Sequence, residues 1–295
     1  MGALCRIGAG SKRGDCAVTR RPATAVTNAA QDRPGEWDAA IYHCISAPQV
    51  TWGSKVLERL PLVGDETVAD AGCGTGRLTA DLLERLPRGH VIAVDQSTNM
   101  LAEVAAHLTP RFGDRISFLH ADVQDLELSE RVDAIFSTAT FHWVPDHSRL
   151  FRALFACLKP GGRLVAQCGG GPNVSRLRQR AESLLESPEF RAKAIGWKNP
   201  WEFATPEETA RRLAAAEFTE IETGLEPAPT TFPDAQAFSV FVQSVVLRAH
   251  LDALPGDLDR RAFMAKITAL AAGDNPAFTL EYWRLNLVAR RPLTP

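Results

Sequence analysis

The sequence lacks the features that mark a membrane protein or a secreted, disulfide-bonded protein. It contains no uninterrupted run of about 18 apolar residues, so no membrane span is expected. Its six cysteines form no CxxC pair and show no metal-binding spacing with histidine. We therefore expect no zinc or other metal site and no disulfide framework, and a cytoplasmic location.

An excess of charge of either sign is also lacking. The chain has 33 basic and 35 acidic residues, which leave a formal net charge of −2. A general nucleic-acid-binding protein usually carries a basic balance or a basic patch. We therefore expect neither nucleic acid nor a membrane among the partners of this chain.

The first 35 residues have little periodic apolar pattern and are rich in Ala, Gly, Thr and Arg. They lack the apolar core of a secretory signal. We expect residues 1–35 to be a disordered extension, with a transit-type peptide as the alternative. Residues 36–295 are then expected to form one domain.

Short apolar runs alternate with amphipathic segments through residue 168. Five of these runs have the length and composition of strands: 67–72, 91–95, 116–122, 132–138 and 163–168. Such alternation predicts an α/β fold, a doubly wound and mostly parallel sheet with helices on both faces. A turn at 159–162 precedes the fifth strand, and further strands at 219–226 and 279–291 complete seven.

The segment VADAGCGTGRL, residues 68–78, places three glycines between the first strand and the next helix. Glycine turns of this kind let a ligand approach the backbone amides. A phosphate loop ends in Gly-Lys-Ser/Thr, whereas Arg77 and Leu78 follow the last glycine here. The dinucleotide pattern is G-x-G-x-x-G, and here the third glycine comes one residue early, which makes NAD(P) less favoured.

The same segment resembles the first motif of class I S-adenosylmethionine (SAM) methyltransferases, D/E-x-G-x-G-x-G. The resemblance implies that the loop backbone approaches the amino-acid and ribose end of SAM, with the leading acid on the ammonium side. The cofactor-binding candidates in this loop are Asp70, Gly72, Cys73, Gly74 and Gly76.

Two acids at later strand ends extend the candidate cofactor site. Asp95 is placed to accept both ribose hydroxyls, and Gln96, which follows it, is a further cofactor-binding candidate. By the same resemblance, Asp122 accepts from the adenine amine, the backbone of Val123 reaches the ring, and Met100 packs on its face. The alternatives are an acid at a helix N-terminus for Asp95 and a turn acid for Asp122.

From residue 37 onward the chain resembles, more narrowly, bacterial small-molecule methyltransferases of the trans-aconitate methyltransferase type. The matching stretches are ISAPQVTWGSKVLERLPL and FSTATFHWVPDHSRLFRAL. His142 and Trp143 are the catalytic candidates, because their side chains could orient a carboxylate; by position, Gln49 and Trp52 would contact the substrate. The alternatives are a structural His142, a core Trp143, and His142 as a base for a phenol or hydroxyl.

The resulting prediction is a Rossmann-like, SAM-dependent methyltransferase acting on a small molecule, at a carboxylate or another oxygen. Its SAM-binding core is expected at about residues 50–168, with helical cap insertions at about 170–205 and 227–278 that contact the substrate. We expect a monomer or homodimer. An NAD(P)-dependent oxidoreductase and a non-catalytic SAM-binding module remain the alternatives.

Overall fold

The computed structural model describes residues 47–293, so the expected extension at residues 1–35 lies outside the described residues. Between residues 47 and 293 the chain forms a seven-stranded sheet, a two-stranded ribbon and helices. None of the helices in this range has the length and apolar character needed to cross a membrane.

The strands of the large sheet are, in chain order, β1 (Thr67–Ala71), β2 (His90–Asp95), β3 (Ile116–His120), β4 (Val132–Thr138), β5 (Leu158–Gly169), β6 (Thr219–Pro227) and β9 (Trp283–Arg290). The ribbon pairs β7 (Thr230–Thr231) with β8 (Thr279–Leu280).

The α-helices are α1 (Ala47–Glu58), α2 (Arg77–Arg85), α3 (Thr98–Phe112), α4 (His147–Cys157), α5 (Ser175–Leu185), α6 (Pro206–Ala215), α7 (Ala235–Phe241), α8 (Arg248–Asp252) and α9 (Asp257–Ala272). A π-helical turn, Val242–Val246, follows α7 directly. Short 3-10 turns include Val123–Asp125 and Phe141–Trp143.

The strand order in the large sheet is β3-β2-β1-β4-β5-β9-β6. Strands β1 to β5 are parallel, and β9 lies antiparallel between β5 and β6. This arrangement confirms the predicted doubly wound, mostly parallel seven-stranded sheet. Because the chain reverses its direction of winding between β1 and β4, a crevice is expected at their carboxyl ends.

Alternation along the strands divides the apolar side chains between the two faces of the sheet. In β1, Val68 packs into one core cluster and Ala69 into the other. In β4, Phe136 and Ile135 are divided in the same way. A third cluster covers the carboxyl end of the sheet and is built from the segments after β5, including α5, α7 and α9. This third cluster is called the cap below.

Two predicted boundaries are wrong. The expected turn at 159–162 belongs to β5, because Leu158 already pairs with Val132 before a register shift in the ladder. The expected last strand at 279–291 is two strands, since Tyr282 turns the chain by bonding its N–H to the carbonyl of Leu280 (3.0 Å). The first two residues of that segment then pair with β7 rather than joining the large sheet.

Candidate functional site

A cavity of about 310 Å³ lies at the carboxyl edge of the sheet, beneath the cap. Its volume is typical of small-molecule sites. One wall, the loop half, comes from the loops after β1, β2 and β3 together with the start of α3. It consists of Gly72, Gly74, Asp95, Gln96, Met100, Ala121, Asp122 and Val123. The opposite wall, the cap half, comes from the segment after β4, the cap and the start of β9.

The three glycines of the first loop are needed for two different reasons. A Cβ on Gly72 would lie 2.1 Å from the hydroxyl oxygen of Thr140, and one on Gly76 would lie 2.9 Å from a methyl of Val104. A Cβ on Gly74 would meet no protein atom within 4 Å. Gly74 lines the cavity and has a φ of +54°. The loop therefore packs closely on its outer two glycines and presents bare backbone to the cavity at the middle one.

Asp95, at the end of β2, fixes this loop with one carboxylate. Its Oδ2 accepts the N–H of Gly74 and its Oδ1 accepts the N–H of Ser97, both at 2.9 Å. The carboxylate therefore links the end of β2 to both the glycine loop and the start of α3. The predicted site residues Gly74 and Asp95, which are 21 positions apart in the chain, are thus in direct contact.

The remaining predicted residues of the loop half lie beside Asp95 in the cavity wall. Met100 and Val123 are buried and present apolar surface, whereas Gln96 is exposed. Asp122 accepts two hydrogen bonds from Gln124, at 3.0 Å from its backbone N–H and 2.7 Å from its amide. The structure therefore brings Gln96, Met100, Asp122 and Val123 together in one wall, as the strand ends predict.

Three predicted residues of the first motif do not line the cavity: Asp70, Cys73 and Gly76. The buried Asp70 accepts the hydroxyl of Thr79 at 2.6 Å. Burial raises the pKa of Asp70 to about 7, the hydrogen bond from Thr79 opposes this shift, and the charge of Asp95 adds to it. Cys73 packs against the core, and burial raises the pKa of its thiol well above the usual value.

His142 lies in the cap half and has a defined hydrogen-bonding role. Its Nδ1 accepts the backbone N–H of Gly169 at 3.2 Å. Burial lowers the pKa of His142 well below its usual value, and the nearby charge of Arg284 lowers it further. The ring is therefore neutral and carries its proton on Nε2. In this state Nε2 of His142 can donate a hydrogen bond and cannot accept a proton.

Arg284 is a site residue that the sequence reasoning missed. It lies on β9, is only 4% exposed and lines the cavity. Its guanidinium carbon is 4.4 Å from the ring centroid of Trp52 and 5.0 Å from that of Tyr282. The signal in the sequence was an arginine near the start of strand β9, directly after two aromatic residues.

Trp52, predicted to contact the substrate, packs against Tyr282 at a centroid distance of 5.0 Å and lies behind Arg284 rather than in the cavity wall. Cation–π contact of this kind holds a guanidinium in one orientation. Gln49, the other substrate candidate, is in α1, and its side chain lies outside the described structure.

Aromatic rings and smaller apolar side chains form much of the remaining cap half. Trp143 lies 6.1 Å from Trp201, which stacks on Phe203 at 5.4 Å, measured between ring centroids. Val245 and Val246 of the π-helical turn complete this wall. Trp143 both lines the cavity and packs on the cap, so the two alternatives for this residue are compatible.

Among residues 47–293, no group of three or more His, Cys, Asp or Glu side chains is arranged to hold a metal ion.

Comparison with known proteins is consistent with this geometry. A family described as "Methyltransferase domain" matches residues 68–162, the part of the chain that contains the loop half. Trans-aconitate 2-methyltransferase from Methylobacterium nodulans is 29% identical over 273 residues, covering 87% of this chain and 98% of the relative. The enzyme of that name from Escherichia coli is 27% identical over the same shares of the two chains.

Solved structures share the fold at low sequence identity. Phosphoethanolamine N-methyltransferase 2 from Haemonchus contortus, in complex with SAM, superposes with a TM-score of 0.55 at 17% identity, covering 86% of this chain. This chain spans only 56% of that larger enzyme. A cyclopropane synthase from Mycobacterium tuberculosis gives a TM-score of 0.55 at 18% identity, covering 82% of this chain and 84% of the synthase.

These similarities favour methyl transfer over the NAD(P)-dependent and non-catalytic alternatives. The glycine loop, the two strand-end acids and the sheet order all agree with them. The chain is a SAM-dependent methyltransferase with the class I Rossmann-like fold, similar over most of its length to methyltransferases of the trans-aconitate type.

Proposed function

We propose that this methyltransferase transfers the methyl group of SAM to a carboxylate oxygen of a small-molecule acid. The observation that carries the proposal is that a buried guanidinium, Arg284, and a neutral imidazole, His142, line the same cavity as the glycine loop. The names of the relatives, which refer to a carboxylic acid, support the same acceptor group.

The residues of the loop half fit SAM. Gly74 leaves space where a side chain would otherwise enter the cavity, and the carboxylate of Asp95 lines the same wall, where it would accept from the ribose hydroxyls. Asp122 is placed to accept from the adenine amine, while Met100 and Val123 offer apolar surface to the ring. Gly72 and Gln96 complete the wall. Asp70, Cys73 and Gly76 would act by holding the shape of the loop.

The bound cofactor supplies a methyl group attached to a positively charged sulfur. That sulfur is a good leaving group. The protein must therefore align the acceptor and exclude water. A carboxylate is ionised at neutral pH and needs no base. Arg284 offers planar N–H donors that match a carboxylate, and Nε2 of His142 adds one more donor. Trp143 closes the cavity on the cap side.

The geometry does not favour a phenol or hydroxyl acceptor, because such a nucleophile must lose a proton. The predicted base, His142, has its Nδ1 bonded to Gly169 and its pKa lowered well below the usual value. Its role here is to donate a hydrogen bond to the acceptor.

We also propose the predicted division of the chain, with a SAM-binding core at about residues 50–168 and acceptor contacts from the two cap segments.

The proposal is tested by incubating the purified chain with methyl-labelled SAM and a panel of small carboxylic acids. We expect labelled methyl esters, which mild alkali cleaves to release labelled methanol. Labelled product that resists mild alkali would indicate an ether or an amine and would contradict carboxylate methylation. The Asp95→Ala variant, assayed at the same SAM concentration, is the control for cofactor-dependent transfer.

A further inference from the structure

We infer that Arg212 is a positioning residue for methyl transfer, which acts from outside the cavity on the turn that carries His142 and Trp143. The inference rests on the proposed function, because that proposal places the acceptor against the cap half. It adds a residue that does not line the cavity. It follows from hydrogen bonds and an ion pair that lie behind the cavity wall.

The turn Phe141–Trp143 is held at two of its carbonyl groups. The carbonyl of Phe141 accepts a hydrogen bond from Nε2 of His147, the first residue of α4, at 2.8 Å. The carbonyl of His142 accepts the backbone N–H of Glu202 at 3.0 Å. Because the ring of His142 is also held through its Nδ1, these contacts together set the position of its Nε2.

Glu202 connects this turn to the aromatic part of the cavity wall. Its two chain neighbours, Trp201 and Phe203, line the cavity, whereas Glu202 does not. One carboxylate oxygen of Glu202 lies 2.8 Å from Nη1 of Arg212, in the last turn of α6. Glu202 therefore joins the turn through its backbone and α6 through its side chain.

A single nitrogen of Arg212 closes the connection. The same Nη1 lies 3.3 Å from Nδ1 of His147, and this nitrogen carries two hydrogens to donate. Because the carbonyl of Phe141 can only accept, a neutral His147 has its proton on Nε2 and a lone pair on Nδ1 that accepts from Arg212. His147, Arg212 and Glu202 are called the Arg212 bridge below.

The effect of the Arg212 bridge is expected on the geometry of the site more than on stability. The side chains of Arg212 and Glu202 are 29% and 33% exposed, and ion pairs near the surface add little to the free energy of unfolding. Displacement of a group that contacts the substrate by about 1 Å can, in contrast, slow a reaction by about 100-fold. Loss of the bridge should therefore slow methyl transfer while the melting temperature changes little.

Protonation of His147 would break the Arg212 bridge. Burial lowers the pKa of this imidazole and the charge of Arg212 lowers it further, while nearby carboxylates oppose the shift only in part. A proton on Nδ1 would replace the accepted hydrogen bond by a contact between two cations. Methyl transfer should therefore fall as the pH drops through the pKa of His147. The charged and titratable groups that face His147 are Arg212, Glu202, Asp146 and His142.

The test compares Arg212→Met with Arg211→Met, which removes the exposed neighbouring arginine of the same helix. Acceptor kinetics are measured at saturating SAM with the acid of the panel that is methylated fastest, starting from trans-aconitate. We expect Arg212→Met to lower kcat/KM at least about fivefold, and Arg212→Lys, which keeps the charge, to recover part of the loss.

The control variant, Arg211→Met, should stay within about twofold of the parent in kcat/KM. The dissociation constant for S-adenosylhomocysteine should change less than about twofold in all three variants, because the loop half is untouched. Equal kcat/KM in Arg212→Met and Arg211→Met would overturn the inference.

The pH dependence distinguishes positioning from a general loss of stability. In the parent, kcat/KM should fall on the acid side of the ordinary imidazole value of about 6.5. In Arg212→Met this limb should move toward higher pH, because the cation that lowers the pKa of His147 is gone. In His147→Gln, which takes up no proton, the limb should be absent. The same limb in His147→Gln as in the parent would contradict the role given to His147.

The inference and the proposed function fail in different ways. If no acid in the panel forms an alkali-labile product, carboxylate methylation is wrong, and the bridge is then tested without an acceptor by amide hydrogen exchange. With S-adenosylhomocysteine bound, residues 139–146 and 199–204 should exchange at least about fivefold faster in Arg212→Met than in Arg211→Met. Equal exchange in the two variants would overturn the inference alone.

Discussion

The two halves of the cavity are built differently. The loop half takes its residues from positions 72–123, on loops after three adjacent parallel strands, and its shape is fixed by backbone N–H groups bonded to Asp95. The cap half gathers long side chains from positions 138–284, held by ring contacts and by the cap cluster. A wall built from backbone suits a cofactor that stays the same. A wall built from side chains can be adapted to a different acceptor by amino-acid substitution.

The largest effect is expected in the cap half. Arg284→Met should lower kcat/KM for a carboxylic acceptor about 100-fold, since truncating a buried charged partner costs about 3 kcal/mol. The dissociation constant for SAM should change less than about twofold, which titration calorimetry measures.

The control for this variant is Arg284→Lys, which keeps the charge but loses the planar fork. It should recover part of the lost activity. A thermal melt of each variant separates loss of function from loss of the fold. If Arg284→Met retained the activity of the parent, Arg284 would not bind the acceptor. The proposed difference between the two halves would then be wrong.

In the loop half, Asp95→Ala should weaken SAM binding by more than tenfold, about 1.4 kcal/mol. The carboxylate is the shared acceptor proposed for the ribose hydroxyls, and it also restrains Gly74. Calorimetric titration with S-adenosylhomocysteine measures the loss. An unchanged dissociation constant would mean that the ribose lies elsewhere.

His142→Ala should reduce turnover about tenfold and leave SAM binding intact, because one donor to the acceptor is lost. His142→Gln, which retains an N–H near the position of Nε2, should recover much of the activity. Since burial holds the pKa of His142 well below its usual value, its titration should add no limb to the pH–rate profile between about pH 6 and 8. A limb near pH 6.5 that disappears in the glutamine variant would instead identify a base.

The last prediction concerns stability rather than activity and involves Asp70, whose side chain is buried beside the first loop. Burial raises the pKa of Asp70 to about 7 in the folded protein, whereas it is about 3.9 in an unfolded chain. The folded state therefore binds this proton more tightly, and the free energy of unfolding falls as pH rises from about 4 to 7.

The Asp70→Asn variant should lack this fall, which is at most about 1.4 kcal/mol per pH unit. Urea unfolding of the ligand-free parent and variant at several pH values measures the difference. Parallel pH dependences in the two proteins would show that Asp70 is ionised at low pH despite its burial.

The sequence predicts most of the loop half because its residues lie at strand ends or within a few positions after them. Asp95 and Asp122 could be placed by finding strand ends, and parallel strands bring their carboxyl ends to one edge. The glycine spacing also predicted an open backbone, and Gly74 has it. The same reasoning could not tell that Gly74 faces open space whereas Gly76 packs against the protein. Only the contact with Val104 shows why Gly76 has no side chain.

The cap half was predicted only in part. His142 and Trp143 follow β4 directly and were found, but Arg284 comes from a strand more than 100 residues away. Its contact with Trp52 depends on how β9 inserts beside β5, which no local pattern specifies. The hydrogen bond from Gly169 to His142, which determines the tautomer, likewise joins residues 27 positions apart.

The position of β9 between β5 and β6 has a consequence for synthesis. Both neighbours leave the ribosome before the strand that joins them, so each has an open edge until about residue 290 has emerged. Unpaired strand edges promote association between chains. Since the same strand carries Arg284, the sheet is completed and the arginine proposed to bind the acceptor enters the cavity wall at the same stage of synthesis. A chain interrupted before Trp283 would therefore be prone to aggregation and inactive, rather than a partly active enzyme.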